Sequence, residues 1–97
     1  MSSRRSRLEI VLSILSVIRA GNDKPTRIMY AANMSWRPSQ RMLSNLIEQG
    51  LLEMKTASGI SNKRYTITEK GVDVLDYFKK ANEILPRGIY TPLAYPS

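Results

Sequence analysis

The chain has 97 residues and a formal net charge of +7, and 42% of its residues are hydrophobic. This length suits one small domain with a single core. The chain contains no cysteine and no histidine, which excludes disulfides, thiolate or imidazole metal sites and nucleophile–histidine pairs. The carboxylates are scattered and no glycine-rich phosphate loop is present. We therefore expect no enzymatic activity, no metal and no cofactor.

The excess positive charge lies in the first two-thirds of the chain. Eleven basic and four acidic residues precede Thr68, whereas the remaining residues carry four of each. Such a basic, asymmetric surface favours a polyanionic partner, most often nucleic acid. Binding to an anionic membrane would need a lysine-rich helix face opposite bulky apolar residues, and no such helix is predicted. No stretch has the pattern of a transmembrane helix or a signal peptide, so the expected location is cytoplasmic.

The first predicted helix follows a short basic arm, residues 1–5. Ser6 is the expected N-cap, and Glu9, three positions later, completes a capping box. The helix is expected to reach about Ala20, because Gly21 supplies a stop. Its apolar residues cover so much of the circumference that most of the helix should be buried, against the core and against another element or subunit.

Two helices joined by a tight turn are predicted next. The first spans about residues 25–32 and has Pro25 in its first turn, where a missing N–H has no cost. The second, residues 37–49, follows the connection at Asn33–Ser35 and ends before Gly50. This order of helix, short turn and helix is typical of a helix-turn-helix.

The second helix of this pair has one apolar and one polar face. Its polar face carries guanidinium, amide and hydroxyl groups, which pair with base edges and phosphates in a DNA major groove. Gln40 and Arg41 suit base edges, whereas Arg37 and Ser39 suit phosphates near the helix start. The same residue types also cover ordinary solvated helices. The candidate DNA contacts on this helix are Arg37, Ser39, Gln40, Arg41, Ser44 and Asn45.

Two strands with alternating patterns are predicted at residues 51–56 and 63–67, joined by a loop of small and turn-forming residues. Because this hairpin follows a helix-turn-helix, we interpret residues 55–65 as a wing that contacts the DNA backbone. An ordinary surface hairpin is the alternative. The further candidate phosphate contacts are Lys63 and Arg64 on the wing, Thr26 and Arg27 at the start of the second helix, and Arg4, Arg5 and Arg7 near the N-terminus.

The last predicted helix spans residues 69–85, with Thr68 as N-cap and Pro86 as its end. It has two apolar stripes, and one is enough to pack on the domain. The second indicates a homodimer interface, although a single broad buried face is the alternative. The residues of the second stripe are Val74, Tyr77, Ala81 and Ile84. The tail, residues 86–97, contains three prolines and is not expected to be helical.

Three segments carry a resemblance to a known family. Arg5–Ile10, Thr26–Ser35 and Tyr65–Gly71 resemble small archaeal winged-helix DNA-binding proteins, a group that includes the 10a class of chromatin proteins and related predicted transcriptional regulators. The resemblance covers about residues 5–85. It implies a homodimer that binds double-stranded DNA in the nucleoid. In that family the last helix is typically long and pairs antiparallel with its mate, so the shorter helix here implies a shorter dimer contact.

The sequence thus predicts a mostly α fold with a small β-hairpin (α+β), a winged helix-turn-helix with an added C-terminal helix. Its expected parts are the arm (1–5), the DNA-binding domain (6–68), the C-terminal helix (69–85) and the tail (86–97). The favoured function is that of a transcriptional regulator or chromatin-architectural protein. The alternative is a winged-helix module that docks an acidic protein partner of the transcription machinery. A ligand sensor is less favoured, because no convergent polar pocket is predicted in so small a chain.

Overall fold

Four helices and one antiparallel hairpin form the structure, a computed structural model that describes residues 6–56 and 62–84. The predicted winged helix-turn-helix with an added C-terminal helix is confirmed. Within the described ranges, no helix is both long enough and apolar enough to cross a membrane. Arg4, Arg5, the tip of the wing, Leu85 and the tail lie outside them. The elements are α1 (Arg7–Arg19), α2 (Pro25–Ala31), α3 (Trp36–Glu48), β1 (Leu52–Thr56), β2 (Lys63–Ile67) and α4 (Glu69–Ile84).

Helix α1 begins with the predicted capping box. The backbone N–H of Glu9 donates to the hydroxyl of Ser6 at 3.1 Å, and the backbone N–H of Ser6 donates to the carboxylate of Glu9 at 3.1 Å. These bonds satisfy backbone donors that the first turn of a helix leaves without partners. The start of α1 is therefore determined locally by the sequence.

The first three helices end in the same hydrogen-bonded motif, in which one residue adopts a left-handed conformation. The backbone φ angle is +114° at Gly21, +59° at Asn33 and +79° at Gly50. In α2, for example, the N–H of Met34 donates to the carbonyl of Met29 at 3.0 Å. Asparagine tolerates this conformation better than most residues, so Asn33 allows the abrupt turn from α2 into α3.

The core lies where α1, α2, α3 and the hairpin meet. Its most deeply buried apolar side chains are each less than 2% exposed. Helix α1 contacts α2, α4 and β2, which explains why its apolar residues extend around so much of its surface. The most deeply buried apolar residues are Ile14, Leu15, Ile28, Ala32, Leu43, Leu46 and Leu52.

The hairpin is anchored to the helices by the turn between α1 and α2. Strands β1 and β2 pair antiparallel, with Leu52 opposite Ile67 and Lys55 opposite Arg64. On the other side of β2, the N–H of Tyr65 donates to the carbonyl of Asp23 at 2.9 Å. The side chain of Tyr65 is buried, and this burial raises the pKa of its phenol. The base of the wing is thus part of the packed domain.

The first turn of helix α4 lies close to the junction of α3 and β1. The hydroxyl of Thr68 accepts from the N–H of Gly71 at 3.1 Å and donates to the carbonyl of Gly50 at 2.7 Å. Gly71 is buried, and a Cβ atom there would collide with the carbonyl oxygen of Leu51 and lie 2.7 Å from Cγ1 of Ile67. An ion pair of 2.7 Å between Arg19 and Asp76 joins α4 to α1.

Candidate nucleic-acid interface

The outer face of α3 is polar and basic. Leu43 and Leu46 of the same helix are buried in the core, and this packing directs the opposite face towards solvent. That face forms a continuous ridge along the helix, because its members recur at intervals of three and four residues. The exposed residues of this ridge, which we call the α3 ridge, are Arg37, Arg41, Ser44 and Asn45.

Two of the residues predicted to face the major groove, Ser39 and Gln40, are less exposed to solvent than the other four. Ser39 is fully buried, and its hydroxyl donates to the carbonyl of Trp36 at 2.8 Å. The expectation that Ser39 contacts phosphate is therefore wrong. Gln40 is partly buried. Its amide nitrogen is buried and has no hydrogen-bond partner among the described residues.

Arg41 lies between two surface grooves that flank α3. Trp36, the first residue of the helix, lines one of them and is 48% exposed. The second groove brings Arg7 of α1 alongside Arg41. The first groove is lined by Trp36, Arg37, Gln40, Arg41 and Ser44, and the second by Arg7, Ile10, Met34, Pro38, Arg41, Met42 and Asn45.

The two predicted wing cations have different surroundings. Lys63 is exposed. The guanidinium of Arg64 is 3.5 Å from the carboxylate of Asp23, and its Nε atom is buried with no partner among the described residues. The positive charge of Arg64 is thus partly neutralised by Asp23.

Lys55 is a wing cation that the sequence analysis did not identify. It is exposed and lies directly opposite Arg64 in the hairpin. Like charges at opposite positions of two strands repel each other and destabilise the pair. Counting residues outwards from the loop, with Thr56 opposite Lys63, predicts that Lys55 lies opposite Arg64. The approach of Asp23 to Arg64 depends on tertiary structure, so no local sequence pattern predicts it.

The remaining candidate phosphate contacts among the described residues lie at the starts of two helices. Thr26 and Arg27 are exposed in the first turn of α2, and Arg7 is exposed in the first turn of α1. Lys24, the N-cap residue of α2, is also exposed and was not among the predicted contacts. The described structure therefore places exposed cations on α1, α2, α3 and the wing.

The predicted dimer stripe of α4 is partly uncovered in the single chain. Tyr77 is 68% exposed and Ile84 is 69% exposed. Val74 and Ala81 are partly buried. The ring of Tyr77 meets that of Phe78 edge-on, with 5.2 Å between the ring centroids.

The chemistry offered by these surfaces is positive charge and hydrogen-bond donation. Within residues 6–56 and 62–84, no group of three acidic, histidine or cysteine side chains is arranged to hold a metal ion. Arginine guanidinium groups on a helix ridge, with further cations on either side, are suited to a polyanion with spaced phosphates.

Comparison with known proteins identifies the family. A family model described as winged helix-turn-helix matches residues 4–85. The chain belongs to the winged helix-turn-helix family. An uncharacterized protein of Methanocaldococcus jannaschii is 30% identical to it over 82 residues, which are 84% of this chain and 78% of that protein.

Solved structures of winged-helix proteins have a similar fold. Sso10a-2, a DNA-binding protein from Sulfolobus solfataricus, matches with a TM-score of 0.69 and 29% identity, over 82% of this chain and 81% of that chain. A MarR family transcription regulator matches with a TM-score of 0.70 over 76% of this chain and 50% of its own. At 18% identity, the second match shows a shared fold alone.

Proposed function

We propose that this protein binds double-stranded DNA, with α3 in the major groove and the wing on the sugar-phosphate backbone. The observation that carries this proposal is the exposed α3 ridge, with Arg37 and Arg41 on a helix whose other face is packed in the core. The similarity to Sso10a-2, which is described as a DNA-binding protein, supports it. The protein would act in the nucleoid as a transcriptional regulator or a chromatin-architectural protein.

The proposed contacts follow from position and chemistry. Arg41, Gln40, Ser44 and Asn45 lie along the middle of α3 and would face base edges. Arg37, near the start of the helix, would pair with a phosphate. The other phosphate contacts are assigned to Thr26, Arg27 and Arg7 at the helix starts, to Lys55, Lys63 and Arg64 on the wing, and to Arg4 and Arg5 in the arm.

The test is a titration of labelled duplex DNA with the purified protein at several salt concentrations. If about six of these candidate phosphate contacts form, the slope in a plot of log binding constant against log salt concentration should be near −5. Affinity should therefore fall steeply between low and moderate salt. A salt-independent binding curve, or no binding at low salt, would refute the proposal.

The choice of nucleic acid separates the possible roles. An architectural protein would bind random and genomic duplex with similar affinity, whereas a regulator would prefer particular genomic fragments. Stronger binding to single-stranded DNA or RNA than to duplex would contradict the major-groove assignment. If the protein bound neither duplex DNA, single-stranded DNA nor RNA, the alternative suggested by the sequence, an acidic protein partner, would be favoured.

Asp23 is expected to weaken DNA binding by holding Arg64. The Asp23→Asn substitution should release the guanidinium and add one positive charge, while the backbone carbonyl that accepts from Tyr65 remains. We expect affinity at low salt to rise about threefold to tenfold and the salt slope to steepen by about one. The pair is substantially exposed, so the free energy of unfolding should change by less than about 1 kcal/mol.

Asp76→Asn is the matched control for this experiment. It also removes the acid of an exposed aspartate–arginine pair, but the pair lies between α1 and α4. It should raise affinity much less than Asp23→Asn does. Equal effects would show that only net charge matters, and weaker binding by Asp23→Asn would show that Asp23 positions Arg64 for DNA.

We also propose that the protein is a homodimer through the second stripe of α4. The exposed Tyr77 and Ile84, with Ala81 between them and Val74 one turn before Tyr77, supply an apolar surface that is not fully covered within one chain. Two such helices could pack through this stripe. Two winged helices held together would also bind DNA at two adjacent sites and gain affinity from the linkage.

Substitution of Tyr77 by glutamate should convert a dimer to a monomer, because a carboxylate would be buried without a partner in the contact. Light scattering after size-exclusion chromatography measures the mass directly. Lys79→Glu, which alters another exposed position on α4, is the control and should leave the mass unchanged. A monomeric mass for the unaltered protein, or an unchanged mass for Tyr77→Glu, would contradict the proposed interface.

A further inference from the structure

Trp36 is half exposed at a position where a large aromatic ring would usually be covered. It is the single tryptophan of the chain, and it is the first residue of α3 with 48% of its surface exposed. The indole is among the largest apolar surfaces a residue can bury, and tryptophan is enriched where proteins contact their partners. An exposed indole of this kind is typical of a surface that contacts a binding partner.

The groove beside the indole has the features of a contact surface for DNA. Trp36 lines it together with Arg37 and Arg41, so an apolar ring and two positively charged groups border the same groove. Gln40, one helical turn after Trp36, also lines this groove.

The occupant must combine an apolar surface with negative charge and hydrogen-bond acceptors. A nucleotide of duplex DNA meets these requirements, because its deoxyribose is largely apolar and lies next to a phosphate. The phosphate would pair with Arg37, which follows Trp36 in the helix. Helix N-termini commonly donate hydrogen bonds to DNA phosphates, which would bring the first residue of α3 close to the sugar-phosphate backbone.

We propose that Trp36 is a DNA contact residue whose indole packs against a deoxyribose at the edge of the major groove. This inference rests on the proposed DNA binding and adds a residue that charge alone does not identify. Because each nucleotide of the duplex carries a deoxyribose, the contact contributes affinity without preference for a base. Its loss therefore weakens binding to all duplexes by a similar factor.

Tryptophan fluorescence, excited at a wavelength that tyrosine does not absorb, tests this contact directly, because Trp36 is the single tryptophan of the chain. Acrylamide quenching of the protein is measured with and without saturating duplex at low salt. We expect duplex to lower the quenching constant at least about twofold, since the accessible half of the ring becomes covered. High salt, which dissociates DNA, should restore the original constant. The Arg41→Glu protein, which retains Trp36 but loses affinity, should show no protection at the same duplex concentration.

Binding of fluorescein-labelled duplex to variants gives the second measurement. Trp36→Ala should lower affinity about tenfold on both A·T-rich and G·C-rich duplex, while Trp36→Phe retains most of it. The salt slope should not change, because no charge is removed. Thermal unfolding of each variant shows whether it is folded, and the quenching experiment requires no substitution at Trp36.

The possible results separate this inference from the proposed function. If the unaltered protein does not bind labelled duplex, the proposed function fails. If it binds, but duplex does not protect Trp36 and Trp36→Ala binds equally well, the function stands and this inference is wrong. A loss confined to A·T-rich duplex would also overturn it, because that result would indicate a base contact instead of a sugar contact.

Discussion

Replacing Arg41 with glutamate is expected to lower the affinity for duplex DNA by on the order of 100-fold at low salt. Arg41 is exposed, lies in the middle of the α3 ridge and lines both grooves that flank the helix. Glutamate would remove a guanidinium that pairs with a base edge or phosphate and would place a negative charge in the groove. Anisotropy of a labelled duplex measures the change.

Lys79→Glu is the control for this substitution, because it changes the net charge by the same amount at an exposed position of α4. The control should retain most of the affinity if local contacts on α3 are decisive. Circular dichroism of both proteins should match that of the unaltered chain, since both positions are exposed. If the two variants lost affinity equally, the α3 ridge would not be the binding surface.

Replacing Gly71 with alanine is expected to lower the free energy of unfolding by about 1–3 kcal/mol. Two physical effects oppose each other here. Alanine has the higher helix propensity, which alone would stabilise the helix by about 1 kcal/mol. The added Cβ, however, would collide with the backbone carbonyl of Leu51 and lie 2.7 Å from Ile67. Because one of these neighbours is backbone, it cannot move aside without shifting α4 or β1, and the collision should dominate.

Urea denaturation of the Gly71→Ala protein measures this effect, and Glu83→Ala provides the comparison. Glu83 is exposed on the same helix, so its replacement should change the free energy of unfolding by no more than about 0.5 kcal/mol. Equal or greater stability of Gly71→Ala would show that α4 can move away from the α3–β1 junction at little cost.

The elements were predictable because their boundaries depend on local chemistry. Ser6 and Glu9 define the start of α1, and Gly21 and Gly50 define where α1 and α3 end. Each signal lies within a few residues of the boundary it determines, so no tertiary information was needed. The alternation of apolar and polar residues in the hairpin is also a local pattern, and it predicted β2 at the residues where it is observed, Lys63–Ile67.

The candidate site was predictable in part. Ser39 lies four residues before Leu43 and seven before Leu46, so helical spacing places it on the buried face even though its hydroxyl group is polar. The partner of Arg64 could not be predicted, because Asp23 is distant in sequence and reaches β2 only through the packing of α1 and the turn after it.

The hydrogen bond between Tyr65 and Asp23 has a consequence for self-association. A strand at the margin of a sheet can recruit the backbone of another molecule and begin aggregation. At β2 this route is obstructed, because the amide of Tyr65 is already bonded to the carbonyl of Asp23. At β1 the exposed side chains of Glu53 and Lys55 place charges along the other margin. The two-stranded sheet is thereby protected on both sides against extension by a second hairpin.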